Sequence, residues 1–490
     1  MMNIAVGQND LLLISSMIVL FLVSLIPITV KVLRGNREQN PLATLTQGLI
    51  GIVAAIFLLV VFSRNGRTAF NDGLLFDGIT MWMGALAMVS CGAAMVMMYE
   101  NPATRGRQFS ELIFLTMSSA LGMLILVSAV DLLLIFIGLE LMSLSLYLMV
   151  AMSHEEKLSK EAAFKYFVLG SFATAIFLFG VSFIFGSTGT TNILTFMEKA
   201  PVLIQSNFIF LFGVTLVIVG FCFKVSIAPF HAWTPDVYQG AATPLTAFMA
   251  TAVKTVSFAA FLRIIATRSL TGSMNLFDIL QWLAVLTMIV GNLAASVQSN
   301  LKRMLAYSSI SNSGYILVGV ITAGVSDNAA FGASTVIFYL MSYSLMTIGA
   351  MAIASMMERS ESHVVNVEDL SGFAKNHPAL AICFTIFLLS LAGIPPTFGF
   401  FGKFYLFSAA VGEGLLWLAI WGVINSVISV YYYLRPIVTM YMKEGEAQIA
   451  PGSLNATTVV VFVMAFFVVT LGFVSGPIFS AVEKSLLFVP

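Results

Sequence analysis

Apolar residues run through this chain in stretches of about twenty, the length a helix needs to cross a bilayer at about 1.5 Å per residue. Short polar links separate them. The stretches are 11–32, 43–63, 77–99, 110–129, 130–152, 161–186, 207–232, 242–267, 276–298, 303–323, 329–356, 379–411, 415–436 and 455–478, called spans 1 to 14 in chain order. This pattern predicts an all-α polytopic membrane protein of about 14 transmembrane helices. Barrel strands would instead alternate apolar and polar positions over segments of about ten residues. Spans 4 and 5 are separated only at Val130 and Asp131, and Asp131 reads as a helix start at the interface.

Two spans carry interruptions. The first lies in GFCFKVSIAPFHAWTPDVYQGAATPLTAFMATAVKTVS, from Gly220 to Ser257. Here Lys224 and Lys254 fall within apolar runs, and Pro229, His231, Pro235, Asp236 and Pro244 lie between them. The second is span 12, FLLSLAGIPPTFGFFGKFYLF, with Gly393, Pro395, Pro396, Gly399, Gly402 and then Lys403. Adjacent prolines remove backbone donors and open a helix. The freed carbonyls must then meet protein groups or water, never lipid. Spans 7 and 12 are five apart and so run in opposite directions. The expected architecture is two inverted five-helix repeats, spans 4–8 and 9–13, with broken helices 7 and 12. Within one membrane domain, residues 1–109 hold helices 1–3, 110–267 the first repeat, 276–436 the second, and 455–478 a C-terminal helix. No residue-level repeat accompanies the pattern, and Lys224 precedes its break whereas Lys403 follows its own.

Ionisable side chains sharpen the picture. A lysine at mid-bilayer costs roughly 2.5–3.5 kcal/mol on insertion scales, so an intramembrane charge marks function by default. Glu140, in DLLLIFIGLELMSLSLYLMV, sits near the middle of span 5. It reads as part of an ion or proton path, against the alternative of a neutral or paired packing residue. Glu140, Lys224, Lys254 and Lys403 form a sparse titratable series. At ~4 Å and an effective dielectric of ~20, Glu140 and Lys224 would attract by roughly 4 kcal/mol. Making and breaking that pair would switch Lys224 between holding and releasing a proton. A charged lysine binds no metal cation, and a sodium site wants several oxygen ligands. One deep carboxylate therefore favours protons, with backbone carbonyls at the breaks leaving sodium open. His231 stands equally as a relay or a satisfied structural residue. The serine-rich face from Ser308 to Ser313 stands equally as helix packing or a water path.

Lysine and arginine set the orientation. With the N-terminus outside, inner links collect Lys31, Arg34, Arg37, Arg105, Arg107, Lys157, Lys160, Lys165, Lys302, Arg303, Arg359, Lys375, Arg435 and Lys443. Outer links collect only Arg64, Arg67, Lys199, Arg263, Arg268 and Lys484. Both termini are thus expected outside. The first basic residue, Lys31, follows the first apolar run, so no cleavable signal is expected there.

Composition narrows the function classes. Only 9% of the 490 residues are charged and 59% are hydrophobic, with mean hydropathy +0.98; soluble domains carry about 25% charged residues. Zero net charge argues against a nucleic-acid surface. Cys91, Cys222 and Cys383 are far apart, which excludes a cysteine-ligated iron–sulfur cluster or zinc knuckle within the chain. Neither G-x-G-x-x-G nor a P-loop occurs.

Three motifs carry a resemblance. FKVSIAPFHAWTPDVYQGAATPLTAFMATAVK (Phe223–Lys254), LKRMLAYSSISNSGY (Leu301–Tyr315) and GIPPTFGFFGKFYLF (Gly393–Phe407) resemble the antiporter-like membrane subunits of proton-pumping NADH–quinone oxidoreductase, respiratory complex I. The P-D-V-Y-Q-G-A wording is most similar to the subunit N branch. The resemblance implies that Glu140 pairs with Lys224, that Lys254 is the central carrier, and that Lys403 leads to the outlet or a neighbouring subunit. Pro229, His231, Pro235, Asp236, Pro395 and Pro396 would support them. It implies no cofactor in this chain, with FMN, iron–sulfur clusters and quinone in partner subunits. Implied partners are other membrane-arm subunits, including another antiporter-like one, in the bacterial cytoplasmic (inner) membrane. The alternatives are a related multisubunit cation/proton antiporter or membrane-bound hydrogenase, a purely structural membrane subunit, and an independent transporter.

Overall fold

The computed structural model describes residues 7–35, 39–63, 66–104, 108–153, 157–266, 270, 274–326, 328–358, 365–447, 449 and 456–486. Arg37, Arg64, Arg105, Arg107, Arg268 and Arg359, used above for orientation, lie outside these residues, as does His154.

Twelve described helices are each long and apolar enough to cross a membrane. They match all the expected spans except 7 and 12, the two with interruptions. Span 7 is Phe208–Lys224, a non-helical stretch, then the short helix Trp233–Gly240. Span 12 is Pro378–Ala392 and Phe398–Gly412. The expected polytopic all-α fold with two broken helices is what the chain adopts. Two features were not anticipated. A small antiparallel hairpin pairs Arg67–Ala69 with Leu74–Phe76. A helix, Ile193–Ser206, is bent by 116° from Phe208–Lys224, so it runs across span 7 and does not extend it.

Polar residues at helix starts decide where spans begin. Asp131 accepts from Leu133 N at 2.8 Å and Leu134 N at 3.3 Å, the helix start read from the sequence. Asn300 caps span 10 through Arg303 N at 2.9 Å. Each of these caps also sits in a two-residue backbone bridge. Leu132 N donates to Thr191 O (3.0 Å) and Ile193 N to Val130 O (2.8 Å). In the same pattern, Leu301 N donates to Val365 O (2.8 Å) and Val367 N to Ser299 O (2.9 Å). The starts of spans 5 and 10 are thus pinned alike to the segments that follow spans 6 and 11.

Burial separates the spans. Spans 8, 10 and 11 are almost wholly enclosed, whereas only about a third of spans 1, 2 and 6 is. The enclosed helices can therefore carry hydroxyls and amides that lipid would not tolerate. Close helix contact is set by small residues: a Cβ on Gly122 of span 4 would lie 2.6 Å from Met142 N of span 5.

Candidate functional site

Lys224 is the last residue of Phe208–Lys224 and is buried. Its chain stops being helical because Ser226 takes a positive φ of 63° and Pro229 follows. The peptide groups freed there are met inside the protein. Trp233 Nε1 donates to Phe223 O at 3.0 Å, Ala228 N to Thr287 Oγ1 at 3.0 Å, and the Ser226 and Thr234 hydroxyls share a hydrogen bond of 2.6 Å. Lys224 Nζ donates to Ser143 Oγ of span 5 at 2.5 Å and lies 5.7 Å from the centroid of Tyr166.

Glu140 stands one helical turn before Ser143. Its Oε1 is buried without a hydrogen-bond partner among the described residues. No Glu140–Lys224 ion pair within 4 Å occurs among the described residues; Ser143, one helical turn on from Glu140, is the lysine's acceptor. A cavity of about 20 Å³, lined by Leu139, Ser143, Phe177 and Lys224, lies beside them. That is room for one water.

Lys254 follows a π-helical turn, Met249–Val253, in span 8. It is eleven residues from the helix start at Thr243, about 16 Å along the axis and hence near mid-depth of a ~30 Å core. Its Nζ donates to Ser309 O at 2.7 Å and Ser309 Oγ at 2.5 Å. Tyr343 OH donates to the same Oγ at 2.8 Å, and its ring centroid is 5.7 Å from the ammonium.

Lys403 reaches back over the second break. Gly393 closes Pro378–Ala392 in the left-handed region, φ +86°, and a Cβ there would come 3.0 Å from Lys403 Cδ. Lys403 Nζ donates to Leu391 O and Ala392 O, both at 3.1 Å, and to Ser426 Oγ at 2.9 Å. The ammonium thus caps the carbonyl end of a half-helix, where the macrodipole favours a cation. Tyr315 presents its ring at 4.9 Å. A groove of about 700 Å³ between Phe398–Gly412 and Leu416–Met442 is lined in part by Lys403 and Ser426.

Between Lys254 and Lys403 lies a polar cluster of which the sequence showed only the serine-rich face. The Ser308 and Tyr433 hydroxyls are hydrogen-bonded. Asn312 Nδ2 donates to Ser308 O at 2.7 Å, and Tyr339 OH to Asn312 Oδ1 at 2.5 Å. Tyr432 OH donates to Asn292 Oδ1 at 3.0 Å, and Asn292 Nδ2 to Tyr315 OH at 3.3 Å. The serine run 308–313 was the one signal for it.

The supporting residues divide. Pro229, Pro395 and Pro396 lie in the breaks, with Ala228–Pro229 and Pro395–Pro396 both cis. Pro235 lies in the first turn of Trp233–Gly240. His231 is half-buried at the first break, and its Nδ1 has no partner among the described residues. Asp236 belongs to a different assembly at one end of the bundle. It accepts from Arg303 Nη1 at 2.7 Å and Lys165 Nζ at 2.8 Å.

Two further ion pairs were invisible in the sequence. Lys302 and Glu358 meet at 2.9 Å, both fully buried. Arg263 grips Asp77 bidentately at 2.9 and 2.7 Å, and also donates to Val127 O and Thr80 Oγ1. Both basic residues lie near span ends, as the orientation count had them, yet they are enclosed by protein. Among the described residues no group of three or more His, Cys, Asp or Glu is placed to hold a metal ion.

Residues 129–429 match the family described as NADH:quinone oxidoreductase/Mrp antiporter, transmembrane. The chain is 75% identical over 486 residues to NADH-quinone oxidoreductase subunit N of Bdellovibrio bacteriovorus, covering 99% of this chain and 100% of that one. A chain in respiratory complex I from Thermus thermophilus superposes with TM-score 0.82 at 31% identity, covering 95% of this chain and 99% of that one. A chain of the Mrp complex from Dietzia superposes with TM-score 0.81 at 20% identity, over 98% of each, a likeness of fold alone.

Proposed function

This chain belongs to the antiporter-like membrane subunits of NADH–quinone oxidoreductase, and from that membership and the site's geometry we propose that it moves protons through the membrane arm of complex I. The route runs through Glu140, Lys224, Lys254 and Lys403. Electron transfer from NADH to quinone takes place in partner subunits, and this chain supplies no redox centre. The observation that carries the reading is Lys254: an ammonium at mid-depth of a fully enclosed span, held by a hydroxyl and a carbonyl and by no carboxylate among the described residues. A buried cation with neutral acceptors gives up its proton far more readily than one in an ion pair.

Lys224 would exchange between Ser143 and Glu140, and the one-water cavity beside it supports such motion. Lys403, on the helix carbonyl end and lining an open groove, would hand protons to the outlet or to a neighbouring antiporter-like subunit. The chain would sit in the bacterial inner membrane with both termini on the outer side. Likeness in fold to the Mrp chain keeps a cation/proton antiporter as the second reading, which the far higher identity to subunit N disfavours.

The test is Lys254→Met in the assembled complex, reconstituted in vesicles, with NADH oxidation and proton uptake measured together. Loss of pumping at normal assembly is expected. Normal pumping at normal assembly would refute the role of Lys254 and favour a structural subunit. Uptake that follows sodium, and not protons, would favour the second reading.

A further inference from the structure

The two matched backbone bridges give a residue-level register that the apolar pattern does not contain. Asp131 and Asn300 each cap a span, and each is bridged in the same hydrogen-bond pattern, to Asn192 and to Asn366. Spans 5 and 10 are the second helices of the two five-helix units. Nine residues on from Asp131 is Glu140, and nine on from Asn300 is Ser309. At 3.6 residues per turn both lie the same two and a half turns from an equivalent anchor, on an equivalent face.

We infer that Ser309 is the positioning residue for Lys254, occupying in the second unit the place that Glu140 holds in the first, with a neutral acceptor where the first unit has a carboxylate. The inference rests on the proton-path reading above. Ser309 is fully buried and gives Lys254 both its carbonyl and its hydroxyl, at 2.7 and 2.5 Å. The hydroxyl is itself fixed by Tyr343 OH at 2.8 Å and interacts with Tyr238. Among the described residues Tyr343 of span 11 faces the ammonium, and Tyr238, from the segment before span 8, lies beside Ser309. The other packed helices have their charged groups engaged elsewhere: Asp77 of span 3 on Arg263, Glu111 of span 4 on Lys31, Lys224 of span 7 on Ser143, and Lys302 of span 10 on Glu358. Ser309 thus orients Nζ toward the polar cluster of span 10 and stabilises the ammonium only as far as a hydroxyl can. A carboxylate at this point would hold the ammonium charged by direct attraction.

The test uses the assembled complex in vesicles with Ser309→Ala, Ser309→Thr and Ser309→Asp, beside Lys254→Met. Alanine removes the hydroxyl and leaves the carbonyl. The alkaline limb of proton pumping should move to lower pH by about one unit, the tenfold change expected for one hydrogen bond to a charged group. Threonine should restore the wild-type profile. Aspartate should cut protons moved per electron pair by roughly twofold or more. A packing role alone would not move the pH profile or be rescued by threonine. Wild-type profiles in the alanine variant would overturn the inference, even where the aspartate variant fails to assemble. If Lys254→Met abolishes pumping while the Ser309 variants are normal, only this inference falls; if Lys254→Met pumps normally, the underlying reading falls first.

Discussion

Glu358→Gln tests how the fold holds Lys254 at its depth. Glu358 closes span 11, and among the described residues its carboxylate accepts from Lys302 Nζ at 2.9 Å, Asn101 Nδ2 at 2.8 Å and Thr243 N at 3.1 Å. Lys302 also donates to Ala241 O at 3.1 Å. One buried carboxylate therefore ties spans 3, 10 and 11 to the first turn of span 8, from which Lys254 is counted. Glutamine fills nearly the same volume, so packing is kept and the charge is lost. Lys302, with no exposure, is then left as a buried cation facing an amide. Breaking a buried pair by removing one partner costs roughly 3–5 kcal/mol. A loss of that size is a large part of the 5–15 kcal/mol that typically holds a domain together. Expected results are a lower yield of assembled complex on native gels and a lower melting temperature in detergent. Lys302→Met combined with Glu358→Gln should recover part of the loss, since the Lys302 ammonium is then no longer left buried without its carboxylate. A single variant that assembles and melts like wild type would refute the claim that this pair anchors span 8.

Other substitutions separate chemistry from scaffolding. Glu140→Gln should insert and assemble normally, being nearly isosteric, with NADH oxidation and pumping both impaired; wild-type rates would sink the Glu140–Lys224 switch. Arg263→Met strands the buried carboxylate of Asp77, which also caps span 3 at Thr80 N, and should cost roughly 3–5 kcal/mol, read as a fall in melting temperature that an unchanged melt would contradict. Glu368 accepts from Lys443 at 2.9 and 2.8 Å, and that bond holds its carboxyl below the usual range. A depressed carboxylate keeps its stabilisation above the unfolded value, near pH 4, and loses it as pH falls through the folded value. Limited proteolysis at the turn Val367–Leu370 should therefore be flat between about pH 5 and 9; cleavage that rises already at pH 6 would show that the bond does not hold the turn.

Much of the molecule was legible as sequence because lipid imposes simple rules. Continuous apolar runs must be helices, since a spanning segment has to satisfy its own backbone. Adjacent prolines and glycines must open a span, as Pro395, Pro396 and Gly393 do. Buried lysines stand out because so few charges occur: Lys224, Lys254 and Lys403 could be named from position alone, and all three are enclosed. The capping role of Asp131 was equally local.

Partners over long sequence distance belonged to the tertiary structure. Asp77 and Arg263 are 186 residues apart, and Lys302 and Glu358 are 56 apart. Arg263 and Lys302 had read as ordinary link charges, because depth along a helix says nothing of which neighbours surround it. The same reason hid Ser143, and which serine of the run Ser308–Ser313 would meet Lys254. A serine on an apolar helix has no distinctive pattern; only helix packing decides which one meets an ammonium and which merely lets two helices approach. The chain's apolar periodicity thus determined the spans, their breaks and the deep ionisable residues. The folded bundle decided what each of those residues touches, because hydrogen bonds of 2.5–3 Å depend on helix rotation and crossing, which a one-dimensional pattern does not encode.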